Sequence, residues 1–501
     1  MKATTWRAVV VDAALGWSVG LRVEVGGPGT VAAAGVVLPR LLADRVGLTR
    51  RLRRALARAG FIPGRDRGRA LVDACAAMAA GASCLSDIEE ATAQEEIFGP
   101  GGGASDSTLL RILDELAGRL GAHGLPGRRL AEATSAARAR AWTEIAAPHG
   151  AIPAVKVAGS DLMRHHGGGS CTSILVLRLD ATLIEAASNK EKAAGTYKGG
   201  FGFHPMTCWC TNVGDNLAVL NRPGNAGSFT AADQIAVLGA AIAQVPPAWR
   251  TDMLVTIDGA GASHEIIDHL TGLNTAREHG RRGRRVEYSI GWPVDARTRA
   301  GIEALREKDW SPALRADGKV DPDAQVAELT GLLRQGPDGD RLDGWPTDMR
   351  IFARRVPRAD GEQAPLDEDP HYRHGAFLTN TPSGQVQFLD ARHRTQAHVE
   401  DTIKELKACG GANLPSKDWG RNSAWLQLNA LAVTLTAWLR HIALDGELAK
   451  AAPKKLRFRL FAAPARYVRH ARWRILKIPP GWAWSPDLAA TWQRLQAPHP
   501  A

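Results

Sequence analysis

Two apolar runs that each end in an aspartate constrain this chain more than any other feature. Residues 173–180 read SILVLRLD and residues 253–258 read MLVTID, the second closed by Gly259-Ala260-Gly261. Short aliphatic runs bounded by turns suit strands buried on both faces, as in a sheet covered by helices. A carboxylate at the end of such a strand is costly beside a closed core unless it is paired or holds a cation. Asp180 and Asp258 are therefore the first candidate site residues. Between them lie two strand-like segments, 199–212 and 215–222, and an apolar-periodic helix over 230–245 with Thr230 as its cap. Three strands, a helix and a further strand is the order of a ribonuclease H-like core. The fold class predicted is α/β.

A third carboxylate comes from HVEDTIKELKACG (398–410). Val399, Ile403 and Leu406 fall at i, i+4, i+7 and form a packing face. Glu400, Lys404 and Lys407 share that spacing on an adjacent edge, which offers one carboxylate to a metal and two ammonium groups to phosphates. Asp401, turned about 100° from Glu400, and Glu405, well off that edge, are lower-ranked alternatives. Three carboxylates without His or Cys nearby in sequence favour Mg²⁺ or Mn²⁺ over Zn²⁺. His204, Cys208 and Cys210 invite a zinc site, but the spacing is unusual and a fourth ligand is missing; small core residues explain the cysteines. Phosphodiester cleavage needs an attacking oxygen activated, a leaving oxygen stabilised and a charged intermediate geometry neutralised. Two divalent ions about 3.5–4 Å apart serve all three needs.

The charge balance agrees with a polyanionic partner. Lys and Arg number 63 against 52 Asp and Glu, a net +11, so the placement of the excess matters more than its size. Arg50, Arg51, Arg53, Arg54 and Arg58 cluster on a predicted helix. Arg281, Arg282, Arg284 and Arg285 form a second group. Residues 454–477 carry nine Lys or Arg and no acid. There Leu456, Phe458 and Leu460 alternate with Arg457 and Arg459, which predicts a strand with one apolar and one basic face. Arg466, Tyr467, Arg469, Arg472, Trp473 and Arg474 interleave base and aromatic, suited to phosphates and stacking. Trp292, Trp310 and Trp345 read first as core.

Domains of about 100–200 residues suggest two to four in a chain of 501. Residues 1–150 read as a mostly helical DNA-binding region, after a small strand region over 1–40. A Gly-rich break at 99–103 precedes a helix over 108–120, which fits either a helix-turn-helix or a plain helical hairpin. Residues 165–265 would form the first part of the core and 376–447 the second, with the glutamate helix; 266–375 reads as mixed strand and helix, and 448–501 as a basic C-terminal segment. Within these, 375–390 predicts a hairpin around Pro382-Ser383-Gly384, and the tail from 478 reads as weakly structured. Six cysteines exclude a disulfide scaffold. The N-terminal apolar run is broken by Asp12, and the stretch from Trp425 to Trp438 falls short of a membrane span. A cytoplasmic, nucleoid-associated protein is expected.

Residues about 170–445 resemble the DDE-domain (group 1) transposases of bacterial insertion sequences. The resemblance is carried by Asp180-Ala181-Thr182, Gly202-Phe203-His204-Pro205, Arg222-Pro223-Gly224-Asn225, Thr256-Ile257-Asp258-Gly259, Tyr288 with its strand, and the block 398–440. That last block resembles the family's Glu-x-x-Ile-Lys-Glu-Leu-Lys helix, its Leu-Pro-Ser turn and its Asn-x-Ala-Trp-Leu helix. Asp258 follows Asp180 by 78 residues and Glu400 follows Asp258 by 142; the second gap leaves room for the mostly β insertion, here 266–375, that the resemblance implies. The resemblance implies cleavage of double-stranded DNA at transposon ends and strand transfer into target DNA, with Asp180, Asp258 and Glu400 as ligands of Mg²⁺ or Mn²⁺. It implies a homodimer when two ends are brought together. Lys404 and Lys407 would hold phosphate. Relatives often carry Tyr and Arg where this chain has His393 and Gln396; His393, Arg392 and Arg394 are the expected substitutes at the phosphate. The second aspartate stands in Asp-Gly-Ala-Gly instead of Asp-Ser-Gly-Phe. A nuclease or resolvase without strand transfer, or an inactive DNA-binding relative, are the alternatives.

Overall fold

The computed structural model describes residues 22–499 apart from 23–24, 26, 122, 167–168, 228–229, 260, 281–282, 336–339, 360 and 366–367. Arg281 and Arg282 of the second basic group therefore lie outside the described residues, as do residues 1–21, 23–24 and 26 of the expected N-terminal strand region.

A nine-stranded mixed sheet organises the chain. Its strands are β1 (Leu175–Ala181), β2 (Met206–Cys210), β3 (Asp215–Leu220), β4 (Asp252–Ile257), β5 (Arg285–Trp292), β6 (Ser311–Leu314), β7 (Val320–Glu328), β8 (Arg350–Pro357) and β9 (Tyr372–Thr379). The spatial order is β3-β2-β1-β4-β5-β9-β8-β7-β6. β1, β4 and β5 run parallel, while β2 is antiparallel to both β1 and β3. Both apolar runs thus became adjacent central strands, as their near-continuous burial requires. Residues 266–375 do not form a separate layer: β9 pairs antiparallel with β5 and prolongs the same sheet.

Helix α1 (Ala231–Gln244) packs on β2 and β3. α2 (Val386–Arg394) leads through a 3₁₀ turn, Thr395–His398, into α3 (Val399–Leu406). α4 (Trp419–Ile442), capped by Asp418, also packs on β3. The N-terminal region is helical as expected, with helices Val37–Arg45, Leu48–Leu56, Arg67–Ala80, Leu85–Thr92, Asp106–Ala117 and Arg128–Ala146. Ser105 caps the fifth of these by accepting the Thr108 N–H. The Gly-rich break before it is needed sterically, since a Cβ on Gly103 would lie 2.0 Å from Thr92 Oγ1. These helices share one core with α4, so 1–150 does not close on itself. Among the described residues no single helix is long and apolar enough to cross a membrane.

Four local expectations are corrected. Among the described residues before 41, only Thr30–Val31 is a strand, and helix begins at Val37. The hairpin at 375–390 is half right: β9 is there, but α2 replaces its second arm. Val386 and Leu389 stand three apart and pack with Phe352 and Phe377, which is helical spacing. The strand at 454–460 is instead a helical turn, Pro453–Leu456, extended by a π-turn, Arg457–Phe461. Pro453 opens it at a position proline favours, and Leu456 and Leu460, four apart, are both fully buried. The tail is also ordered: Ser485–Gln496 is a helix burying Leu488, Thr491 and Leu495, again spaced for one helical face.

Candidate active site

The parallel register brings the two aspartates together. Ile257 pairs with Leu179, so Asp258 comes level with Asp180 at the C-terminal ends of neighbouring strands. Both line one cleft, with Gln234, His204 and Gly259 among its other walls. Asp180 Oδ1 accepts the Ala181 N–H at 2.8 Å, and Asp258 Oδ1 accepts the Gly259 N–H at 2.7 Å. Thr207 on β2 donates to the Asp180 carbonyl at 3.0 Å, fixing that strand end.

Burial, and next the negative charges of Asp258 and Glu400, push the Asp180 carboxyl up to about 6 against its hydrogen bond to Ala181 and the charge of Lys407. Glu400 does not line the cleft, yet its charge reaches Asp180. Its side chain is 66% exposed and lies 3.6 Å from Lys404 Nζ. Among the described residues no group of three His, Cys, Asp or Glu is tight enough to hold an ion as it stands. Asp401 is 84% exposed beside Lys404. Glu405 is buried and spent on Arg440 at 3.2 Å, which removes it as an alternative ligand.

One residue ties the three elements together. Gln396, in the 3₁₀ turn before α3, donates to the Leu179 carbonyl at 3.0 Å and accepts from the Thr256 hydroxyl. Leu179 precedes Asp180 directly and Thr256 stands two before Asp258. The helix bearing Glu400 is thereby clamped to both aspartate strands. Arg178 adds a second tie, from β1 to Thr395 at 2.9 Å and Thr211 at 2.6 Å. Sequence reasoning missed Gln396 as a clamp because its role depends on how the helix docks. Gln396→Leu leaves a buried hydroxyl and a buried carbonyl unpaired, a cost of about 1–3 kcal/mol. It is also expected to lower the turnover of DNA cleavage by about 10–100-fold through misplaced carboxylates. Single-turnover kinetics beside a melting curve check both effects.

The expected phosphate contacts divide. Lys407 is half-buried; burial and Lys198 lower its pKa, while Asp180 and Glu185 oppose them, which puts its ammonium near the cleft. Lys404 is exposed and leans on Glu400 and Asp401. His393 is a correction. Its ring stacks on Phe377 at 4.6 Å and bonds Ser289 Oγ at 3.0 Å, and burial pulls its pKa down to about 4 despite Asp258. A neutral imidazole offers no charge to phosphate. Arg392 and Arg394 are corrections too. Arg392 is buried on Glu287 at 3.0 Å, and Arg394 bonds Asp390 at 3.0 Å and the Leu314 carbonyl. Both hold α2 against the sheet.

Of the basic clusters, Arg50, Arg53 and Arg54 are exposed, with Arg53 paired to Asp66. Arg51 is part-buried among Arg50, Arg140 and Arg54, whose charges add to burial in lowering its pKa. Arg457 turns inward, to the Ala79 carbonyl at 3.1 Å and Cys409 Sγ at 3.3 Å, so it is structural. Arg459 stacks over Trp484 at 5.3 Å. Arg466 and Arg469 stand exposed on a hairpin, Ala465–His470 with Trp473–Lys477. Trp292 and Trp310 are core residues as expected. Cys208 and Cys210 are fully buried, and burial pushes both thiols up.

A family model described as "Transposase DDE domain group 1" matches residues 17–500. No curated protein matches the chain. Solved structures that match include a chain from "Cryo-EM structure of piggyBac transposase synaptic complex with hairpin DNA (SNHP)". That chain is 8% identical with a TM-score of 0.32; the alignment covers 64% of this chain and 54% of that one, and so remote a likeness carries no argument. The family model needs no such support: matched along almost its full length, the chain belongs to the DDE-domain group 1 transposases.

Proposed function

We propose that this protein is a metal-dependent DNA transposase that cleaves double-stranded DNA at transposon ends and joins the freed 3′-hydroxyl to target DNA. The observation that carries the reading is that Asp180 and Asp258 each follow the last paired residues, Leu179 and Ile257, of neighbouring strands, with the Glu400 helix clamped to both strands through Gln396. The order β3-β2-β1-β4-β5, with only β2 reversed, supports a ribonuclease H-like core made of 165–265 and 376–447 around the insertion 266–375. On this reading 1–150 and 448–501 grip the DNA, and two copies bring two ends together near the nucleoid.

The carboxylate set fits hard divalent cations. Burial first, and then Asp258 and Glu400, raise the Asp180 carboxyl against its bond to Ala181 and the charge of Lys407, so a cation beside it would favour its ionised form. Glu400 is exposed, with Lys404 3.6 Å away, and is free to turn toward the cleft. Asp180, Asp258 and Glu400 would hold Mg²⁺ or Mn²⁺, which supplies activation of the attacking oxygen and neutralisation of phosphoryl charge. The chain's own groups do the rest. Gln396 and Thr207 fix the strand ends, Lys407 attracts the scissile phosphate, and the exposed arginines position the duplex.

Replacing Arg466 and Arg469 together by alanine is expected to weaken DNA binding about equally for any sequence and to reduce the salt slope by about 2. Binding titrations across salt concentration check this; an unchanged slope removes the hairpin from the interface. The function itself is tested by incubating the full chain with duplexes carrying its terminal repeats, Mg²⁺ or Mn²⁺, and a target plasmid. Nicks at the ends and joined products support transposition. Nicks without joining mean a nuclease, and binding without nicks an inactive relative.

A further inference from the structure

Beside the carboxylates, one buried polar side chain has its hydrogen-bonding capacity unspent. Gln234, on the first turn of α1, is 1% exposed, and neither its Oε1 nor its Nε2 has a partner among the described residues. It lines the same cleft as Asp180 and Asp258. Interiors keep few unpaired amides because each one is costly. A group entering this cleft must therefore offer Gln234 both an acceptor and a donor.

His204 lines that cleft as well and is 2% exposed. Its Nδ1 is 2.9 Å from the Ala226 carbonyl oxygen. A carbonyl only accepts, so the proton is on Nδ1 and Nε2 keeps its lone pair. The ring is braced in place. The His204 N–H donates to the Arg222 carbonyl at 2.9 Å, and Arg222 Nε returns a bond to the His204 carbonyl at 2.9 Å. Arg222 also pairs with Asp233 at 3.2 Å, one residue before Gln234. One guanidinium thus braces the His204 backbone and the Asp233 side chain, one residue before Gln234.

This wall presents two acceptors and one donor next to two carboxylates. Phosphate oxygens only accept and are repelled here; Lys407 serves them better. Water and alcohols donate and accept through a single oxygen, which matches the wall. We infer that Gln234 and His204 hold the attacking hydroxyl: water in the cleavage step and the DNA 3′-hydroxyl in the joining step. Gln234 Nε2 donates to that oxygen; the two O–H groups of water go to His204 Nε2 and Gln234 Oε1, and the single O–H of the 3′-hydroxyl goes to one of these two acceptors. Attack forms an oxygen–phosphorus bond and breaks the bond from phosphorus to the leaving 3′ oxygen. The proton lost by the attacking oxygen goes to solvent, and the leaving oxygen takes one from solvent. The inference rests on the transposase reading and adds to it the residues that orient the nucleophile.

The test uses the full chain on end-containing duplex with Mn²⁺ and rising glycerol, a competing alcohol. Gln234→Leu is expected to slow nicking by about 10²-fold, with end binding unchanged and a melting temperature equal to or above wild type. The ratio of glycerol-ester to hydrolysis products is expected to shift by about threefold or more, because the wall that selects the hydroxyl has changed. A merely structural glutamine would lower the melting point and leave that ratio alone. Gln234→Met, unbranched, serves should the leucine variant not fold. Wild-type rate and product ratio in a folded variant overturn the inference while the transposase reading stands. A wild-type protein that nicks nothing overturns both.

Discussion

Asp180→Asn is expected to abolish nicking at transposon ends while end binding is kept. The asparagine has the size to preserve the turn with Ala181 but brings no charge to the site. Losing one anionic ligand removes several kcal/mol of transition-state stabilisation, on the order of 10³-fold or more in rate. The same variant has a signature in stability. Asp180 ionises in the native protein at about 6, against 3.8 for the ordinary side chain, because burial first and Asp258 and Glu400 next disfavour its charge. Between those pH values the native state binds the proton more tightly than the unfolded chain. Stability of the metal-free wild type therefore falls as pH rises from about 4 to about 6 and stays lower above. The uncharged variant escapes this loss, so its melting temperature gains on wild type across that window. Melting curves at pH 4, 5, 6 and 7.5 without divalent ions check the trend. A gap that does not change with pH contradicts a native Asp180 carboxyl raised by burial and by its acidic neighbours.

Asp215→Ala is expected to be the most destabilising single change far from the chemistry. Asp215 opens β3 and is 0% exposed. Its Oδ2 accepts from Arg138 Nε at 3.0 Å, Trp142 Nε1 at 3.2 Å and Trp438 Nε1 at 2.9 Å. Arg138 and Trp142 belong to the N-terminal helix Arg128–Ala146 and Trp438 to α4. One oxygen thus joins the helical region, the sheet edge and the long helix behind it. Removing it strands a buried guanidinium, whose side chain is 4% exposed, and two indole N–H groups. Breaking a buried pair in this one-sided way costs about 3–5 kcal/mol. A drop of about 5 °C in melting temperature is expected. Asp401→Ala, at an exposed site, is the matched control and should change little. A wild-type melting point for Asp215→Ala contradicts the view that the N-terminal helices and the core fold as one unit.

The central strands were legible because both ends of the inference were local. The runs at 173–180 and 253–258 are apolar almost throughout, and their aspartates stand where the sheet ends. The glutamate helix was legible from the shared spacing of Val399, Ile403 and Leu406. The C-terminal segment misled because Leu456, Phe458 and Leu460 satisfy a period of two, while Leu456 and Leu460 also satisfy a helical period; five residues cannot decide between them. Burial decided: Leu456 and Leu460 went inside and Phe458, 61% exposed, did not. Charge was the weakest guide. Arg392, Arg394 and Arg457 were expected to meet phosphate, but each found a carboxylate, carbonyl or thiol within the fold. Gln396 stood out only as a departure from the family's Arg and Gln234 not at all, because an amide's role is set by which strands or cleft it is docked against.

The central claim is that Asp180, Asp258 and Glu400 close around divalent ions. Crystals of the protein with a terminal-repeat duplex, grown with Mn²⁺ and measured at the manganese absorption edge, test it most directly. Anomalous peaks are expected in the cleft, with oxygens of all three carboxylates about 2.1–2.3 Å away. Glu400 still turned to solvent, with no peak between Asp180 and Asp258, would contradict it.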